Sequence, residues 1–320
     1  MYVRHVRNAI GGTPILIAAA TLVLASWLPR ARAQDLEESV EEQVQPKATF
    51  LGEAGFTYQG ETDINGGGTM QVNRYNGAVA SQTDLLKELR WTNTFFFGAD
   101  DYDFDGGGFS TGKPWQTILA MRLGSKLAYR LNEQWGIWAG GVLIFSPETG
   151  ADWGKSVTGG GRLGFDYRHS ETLFASLGVA VITQLEDSPK VVPSVGLNWL
   201  PHEQWAVRVG AIPVSGGAAA AGEVAYQIIE PLTVGLGVVY QQRRFRLDSS
   251  GIAPNGVGEE NSLPVRLRLG WNINQYISLH LVGGVALAGD LQLDNQNGNQ
   301  LRSHDYDPAP YFGVHVLGAL

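Results

Sequence analysis

The chain has no cysteine, which excludes disulfides, thiolate metal sites, cysteine nucleophiles and lipid attachment through an N-terminal cysteine. It has few charges, 17% of residues against 44% hydrophobic, a balance that a wholly disordered chain does not have. Past the first thirty residues it has no apolar run near the roughly 20 that a spanning helix needs, which excludes a helical multispan protein. Basic residues are also scarce, 23 against 31 acidic, a net charge of −8. A surface that binds phosphate backbones should be basic, so nucleic acid is not an expected partner. What the chain has in plenty is glycine, 42 in 320 residues, roughly twice ordinary usage.

Residues 1–33 read as an address. Arg4, His5 and Arg7 precede an apolar stretch over residues 15–28, and Ala31-Arg32-Ala33 closes it. A basic start, a short apolar core and an A-x-A site form a secretory signal, cleaved after Ala33. Its four arginines leave with it, so 19 basic residues then face 31 acidic ones, a net charge of −12. Residues 34–48 are polar and glutamate-rich, and read as a flexible lead segment with one short helix as the alternative. An exported, acidic, cysteine-free and glycine-rich chain points to a Gram-negative-type envelope.

From residue 49 onward the chain alternates with period two. Over residues 115–131, Trp115, Thr117, Leu119, Met121, Leu123, Ser125, Leu127, Tyr129 and Leu131 form one set. Gln116, Ile118, Ala120, Arg122, Gly124, Lys126, Ala128 and Arg130 form the other. A strand sends such sets to opposite faces, whereas a helix would scatter the cations around its cylinder. The same split recurs at 263–272, 194–199, 173–181 and 232–240. These runs are commonly 10 to 17 residues, beyond ordinary strands of about 5–6 and long enough to cross a membrane when tilted.

The turns repeat. Leu131-Asn132-Glu133-Gln134-Trp135, Leu200-Pro201-His202-Glu203-Gln204-Trp205 and Ile273-Asn274-Gln275-Tyr276-Ile277 are short and polar, and each opens a new alternating run. Residues 169–173 and 229–232 are looser versions. Between them lie connections at 149–155, 186–190, 249–260 and 292–307, the last two long and rich in Asn, Asp and Gly. Short turns on one side and long loops on the other are the asymmetry of outer-membrane barrels, with the short side periplasmic. Tyr129, Trp135, Tyr167, Trp199, Trp205 and Trp271 cluster beside the short turns on the apolar register. They are candidates for an interfacial aromatic girdle, with ordinary core aromatics as the bland alternative.

Fourteen runs result: 49–61, 68–82, 88–102, 115–131, 135–146, 155–168, 172–185, 191–200, 205–213, 220–229, 232–247, 262–273, 277–290 and 309–319. Twelve strands remain if 68–82 and 220–229 fall away. The expected fold is all-β, a closed antiparallel transmembrane β-barrel, since closure removes the edges an open sheet exposes. As architecture, residues 49–320 resemble bacterial outer-membrane β-barrel families, including barrel families known only as domains of unknown function. The resemblance implies an outer-membrane location, contact with lipid and lipopolysaccharide, and insertion by the barrel-assembly machinery. Family members end on a strand with alternate apolar residues and a terminal aromatic. Here Phe312, Val314, Val316, Gly318 and Leu320 supply the alternation, but leucine stands at the terminal position.

The inner face, read from the polar register, offers Arg90, Arg122, Lys126, Arg130, Arg162, Arg168, Arg208, Arg266 and Arg268. Its acidic members are fewer, Glu53, Asp166 and Glu223, and His280 and His315 fall on it too. Arg122, Lys126, Arg130, Arg162, Arg208, Arg266 and Arg268 are therefore candidates for anion selection. The competing reading pairs these cations with carboxylates in a filled interior. Asp101, Asp103 and Asp105 mimic half a calcium loop, D-x-D-x-D-G, but Gly112 stands where a bidentate glutamate is needed. Metal and cofactor sites are therefore not expected. Ser278 and His280 share a face without a third partner, so no enzyme is expected either. Two functions remain: a porin-like channel for small, anionic solutes, and a closed structural or surface-interaction barrel working through loops 249–260 and 292–307.

Overall fold

A computed structural model describes residues 48–319 apart from 108, 110, 111, 215 and 216. The expected signal segment, nearly all of the acidic lead segment, and Leu320 lie outside the described residues. The strands are β1 (Ala48–Asp63), β2 (Thr69–Asp84), β3 (Leu89–Asp105), β4 (Thr117–Arg130) and β5 (Trp135–Phe145). There follow β6 (Val157–Arg168), β7 (Leu173–Gln184), β8 (Asp187–His202), β9 (Trp205–Val214) and β10 (Gly217–Ile229). The last are β11 (Leu232–Arg246), β12 (Val257–Asn272), β13 (Ile277–Asp294), β14 (Gln300–Tyr306) and β15 (Ala309–Ala319).

Each strand pairs antiparallel with its neighbour, and the ring closes where β15 lies between β1 and β13. β14 and β15 are two halves of one strand, since both pair with β13, at Gly289↔Tyr306 and Ala286↔Ala309. The wall is thus a closed fourteen-strand antiparallel barrel, and every expected run is a strand, including those at 68–82 and 220–229.

The alternation is inverted relative to a soluble protein. Leu123, Leu127, Leu163, Phe165, Leu177, Leu236 and Leu267 are exposed, while Arg122, Lys126, Arg162, Ser176 and Arg268 between them are buried. The outer surface is therefore apolar and the polar register faces inward. At one end the turns are short, and Asn132 and Asn274 build two of them alike. The Asn132 Oδ1 accepts from the backbone N–H of Gln134 and Trp135 at 2.9 and 2.8 Å. The Asn274 Oδ1 accepts from Tyr276 and Ile277 at 2.8 and 2.9 Å. A side chain that mimics a backbone turn explains why these residues recur at this end.

The opposite end differs from expectation. The connection at 292–307 is largely strand, with β13 running to Asp294 and β14 over Gln300–Tyr306, and the one at 249–260 is shortened by β12, which already begins at Val257. All four strands of this sector break at one level. Pairing lapses at residues 239–240 of β11 opposite Leu263 and Pro264, and the ladder shifts between Asn261 and Leu263. Ala288 takes a φ of 49°, and β14 gives way to β15 at Asp307 and Pro308. Above this line the sheet folds across the mouth. Arg246, at the end of β11, forms a parallel bridge with Pro147 on the β5–β6 connection, about half the barrel away. The Glu148 N–H donates to the Arg246 carbonyl at 2.7 Å, and the Arg246 N–H to the Ser146 carbonyl at 2.9 Å.

Beneath this flap lies the apolar core. Met70, Val72, Tyr102, Phe104, Phe109, Trp115, Phe245, Leu291, Leu293 and Tyr306 are all buried. The Trp115 ring meets those of Phe245, Phe104 and Tyr102 at 5.1, 5.5 and 5.8 Å. Trp115→Ala is expected to lower stability by about 3–5 kcal/mol, as large aromatic truncations in packed cores do. A reduced urea midpoint with unchanged strand circular dichroism in micelles is the measurement, and an unchanged midpoint would contradict this packing.

Candidate functional site

The lumen holds its charge in three groups. The first ties the flap to the wall. Arg74 on β2 and Arg243 on β11 face Asp100 on β3 and Glu260 on β12. Arg74 meets Asp100 and Glu260 at 2.8 Å each, and Arg243 meets them at 3.1 and 3.4 Å. Hydroxyls of Tyr102 and Tyr306 donate to Glu260, and the Arg74 Nη2 donates to the Gln59 Oε1 at 3.1 Å. Two cations balance two anions, and Arg74, Arg243 and Glu260 each make further hydrogen bonds, which is how buried ions are tolerated.

The other face of the flap carries its own ions. Arg244 pairs with Glu259 and Asp294 at 2.8 and 2.9 Å, and Arg246 pairs with Glu186 at the β7–β8 turn. Glu148 clasps the crossing, accepting from the N–H of Gln116 at 2.8 Å and of Asp248 at 3.0 Å. Burial pushes its carboxyl above the ordinary range, against the pull of those two donors.

The second group centres on Glu223 of β10. Arg268 grips it with two hydrogen bonds at 2.7 and 2.9 Å, and Arg208 and Arg266 approach to 3.6 and 3.8 Å. Three of the seven lumen candidates thus share one carboxylate.

The third group lies on β4 and β6. Arg122, Lys126 and Arg162 are each more than nine-tenths buried. Lys126 and Arg162 both lie over the Trp138 ring, at 5.0 and 5.6 Å, and Arg122 lies over Phe96 at 5.8 Å. Asp166 stands 4.0 Å from Lys126 and accepts from the Ser176 hydroxyl at 2.6 Å. Among the described residues, Arg162 makes no ion pair, and its Nη2 has no hydrogen-bond partner.

Arg130 does not join these groups. It is exposed at the short-turn rim, where its Nη2 donates to the Lys87 carbonyl at 3.3 Å. With Arg90, Arg168, Asp166 and Phe174 it lines a recess of about 370 Å³. The interior is therefore recessed at the short-turn end and packed shut at the flap end.

The remaining candidates fall as follows. Tyr129, Trp135, Trp199, Trp205 and Trp271 are exposed and Tyr167 half-buried, all beside the short turns, with the Trp135 and Tyr167 rings 4.6 Å apart. Phe312, Val314 and Val316 face outward on β15. Asp101, Asp103 and Asp105 share the exposed side of extended β3 rather than a loop, and bond separately to Thr117, Lys113 and the Gly106 N–H. The Ser278 hydroxyl donates to Asn272 at 2.8 Å, and His280 stands opposite His315, whose Nδ1 lies 3.1 Å from Glu53.

Asp100, Glu260, Arg74 and Arg243 escaped the sequence reading, and so did the apolar inner face above the break. One signal was present. Arg243-Arg244 and Glu259-Glu260 are charged doublets, and the register pairs them, Arg243↔Glu260 and Arg244↔Glu259. A doublet puts charge on both faces of a strand, which a strand with one face in lipid does not tolerate.

The model of a domain of unknown function, DUF6268, matches residues 38–316. The chain belongs to the DUF6268 family. No curated protein matches it. Among solved structures, this DUF6268 barrel resembles a deltaS2 mutant of TodX, a monoaromatic hydrocarbon channel of P. putida. That pair shares 10% identity over 85% of this chain and 90% of that one, with a TM-score of 0.51. An outer-membrane channel from Pseudomonas putida F1 shares 10% identity over 89% and 100%, TM-score 0.48. A Pseudomonas aeruginosa FadL homologue shares 9% over 85% and 89%, TM-score 0.46. At these identities the likeness is one of fold.

Glu223→Gln strands three arginines without their shared carboxylate, and is expected to cost this DUF6268 barrel about 3–5 kcal/mol, the scale for breaking a buried pair. Urea unfolding in micelles measures it. Arg268→Met added to Glu223→Gln should recover part of the loss, and equal midpoints for all three proteins would contradict the assignment.

Proposed function

We propose that this barrel is an outer-membrane channel for small solutes that favours anions, described here with its outer mouth shut. The observation that carries the reading is the charge on one wall of the lumen, where Arg122, Lys126 and Arg162 are buried and Asp166 stands 4.0 Å from Lys126. A ring of fixed positive charge in a low-dielectric passage lowers the barrier to anions and raises it to cations. Arg208, Arg266 and Arg268 contribute less than their number suggests, because Glu223 neutralises them. Arg130 belongs to the periplasmic rim and acts as an entry charge.

On this reading the chain is exported on its 1–33 signal and inserted by assembly machinery that recognises the C-terminal residues Phe312, Val314, Val316 and Leu320. The exposed aromatics beside the short turns then sit at the periplasmic lipid interface, and lipid and lipopolysaccharide surround the wall. Fourteen strands support it, since they enclose more space than the eight whose interior side chains alone can fill. The TodX mutant whose fold it shares is a monoaromatic hydrocarbon channel.

The folded-over mouth favours a second reading, in which the barrel never opens and acts through its surface. One experiment separates the two. In this cysteine-free chain, Pro147→Cys with Arg246→Cys places two thiols across the bridge that latches the flap. Planar-bilayer recording should show conductance under reductant and its loss on oxidation. Arg122→Glu should reduce the anion preference measured from reversal potentials. A wild-type protein and a reduced pair that both stay at baseline would overturn the channel, and conductance unaffected by oxidation would overturn the flap as its gate.

A further inference from the structure

Resting on that reading, we infer that the lumen holds a binding site for a small organic carboxylate between Lys126 and Arg162. The register sets the site. Lys126 of β4 pairs with Gly140 of β5, which pairs with Arg162 of β6, so one row runs cation, glycine, cation. Two strand spacings put the outer residues of that row about 10 Å apart at the backbone. Glycine leaves nothing between them. Both cationic heads lie within 6 Å of one indole centroid, that of Trp138. That indole lies flat on the wall because Gly164 and Gly178 have no side chains. A Cβ at either would come within 2.5 or 2.8 Å of the ring.

The native carboxylate is turned away. The Trp138 Nε1 donates to the Ser176 hydroxyl at 3.2 Å, and that hydroxyl donates to the Asp166 Oδ1 at 2.6 Å. This relay holds Asp166 on the β7 side, with its other oxygen 4.0 Å from Lys126. Arg162, more than nine-tenths buried, keeps an Nη2 without a hydrogen-bond partner. Elsewhere in the same lumen, Arg268, Arg74 and Arg243 meet carboxylates at 2.7 to 3.1 Å. A guanidinium buried without an anion is costly, and its planar fork matches a carboxylate. An incoming carboxylate supplies what Asp166 does not, one oxygen toward Arg162 and the other toward Lys126.

Charge selects an anion, because Lys126 and Arg162 outnumber Asp166 at the site. Access comes from the short-turn end. Asp166 lines the recess, and so does Ala128, two residues from Lys126 on the same face. The apolar body of the ligand then rests in the recess against Phe174, with its carboxylate inward.

Isothermal titration of the full chain, refolded in detergent, with sodium benzoate tests the site, and benzamide is the uncharged control. Benzoate should bind saturably and benzamide should not. Arg162→Gln should weaken benzoate binding roughly tenfold or more, about the weight of one charge-assisted contact, and Arg162→Lys should recover part. Lys126→Gln gives a second route should Arg162→Gln fail to fold, with folding read from heat-modifiable migration. No benzoate binding, equal binding of benzamide, or unchanged affinity in a folded variant would overturn the site. Conductance is read separately. A channel that conducts without binding benzoate loses only the site, and a barrel that binds benzoate without conducting loses only the channel.

Discussion

A sheet surrounded by hydrocarbon can leave no backbone N–H or C=O unpaired, and this single requirement organises the chain. It forces closure, which falls to β15 between β1 and β13, with Leu51↔Ala319 through Gln59↔Tyr311 on one side and Ile277↔Gly318 through Ala286↔Ala309 on the other. Closure divides every strand into an outward and an inward set. The outward set is apolar because lipid is its solvent. The inward set is polar because fourteen strands enclose a volume too wide for aliphatic side chains to fill from opposite walls. The charged lumen is thus a consequence of closing the wall at this strand number.

The requirement relaxes where strands rise beyond the apolar belt, and there the chain behaves like a soluble protein. Both faces of the outer ends of β11–β13 meet protein, and both carry buried side chains. The breaks that let this sector fold over sit where each strand can bear one. Pro264 has no N–H to lose, Ala288 absorbs the turn at positive φ, and Asp307 with Pro308 interrupts the ladder outright. Fourfold coincidence at one level makes the bend a property of the sheet, not of a loop. The ions that hold it are balanced within the flap interface, so the closed mouth does not draw on the charges deeper in the lumen.

The barrel was legible because lipid imposes a strict period of two, and Trp115 to Leu131 shows it without interruption. The short turns were legible because Asn132 and Asn274 do the same local work in the same setting. The flap was not. Asn, Asp and Gly at 249–260 and 292–307 read as loop, yet a strand covered by protein on both faces needs no alternation, and Val257 to Glu260, all buried, show none. Asp100 was hidden for a related reason. It precedes three aspartates that point the other way, and only the register separates a buried ion-pair partner from an acidic surface. Partner choice within the lumen was equally out of reach, since nothing along β10 marks Glu223 as the shared carboxylate of residues on β9 and β12.

That partner choice decides what the lumen can do. Opposite walls carry comparable numbers of cations, but the β9–β12 wall places a carboxylate among its arginines, while the β4–β7 wall diverts its carboxylate to a serine. Glycines at 140, 164 and 178 let neighbouring strand backbones approach closely, and in doing so two of them also make room for the Trp138 ring and the third leaves no side chain between Lys126 and Arg162. An aromatic floor under two cations stabilises their charge without neutralising it, since the ring supplies a quadrupole and not an anion. The asymmetry therefore preserves positive potential on one side of the passage only. A lumen arranged merely to be full would have no reason to keep it there.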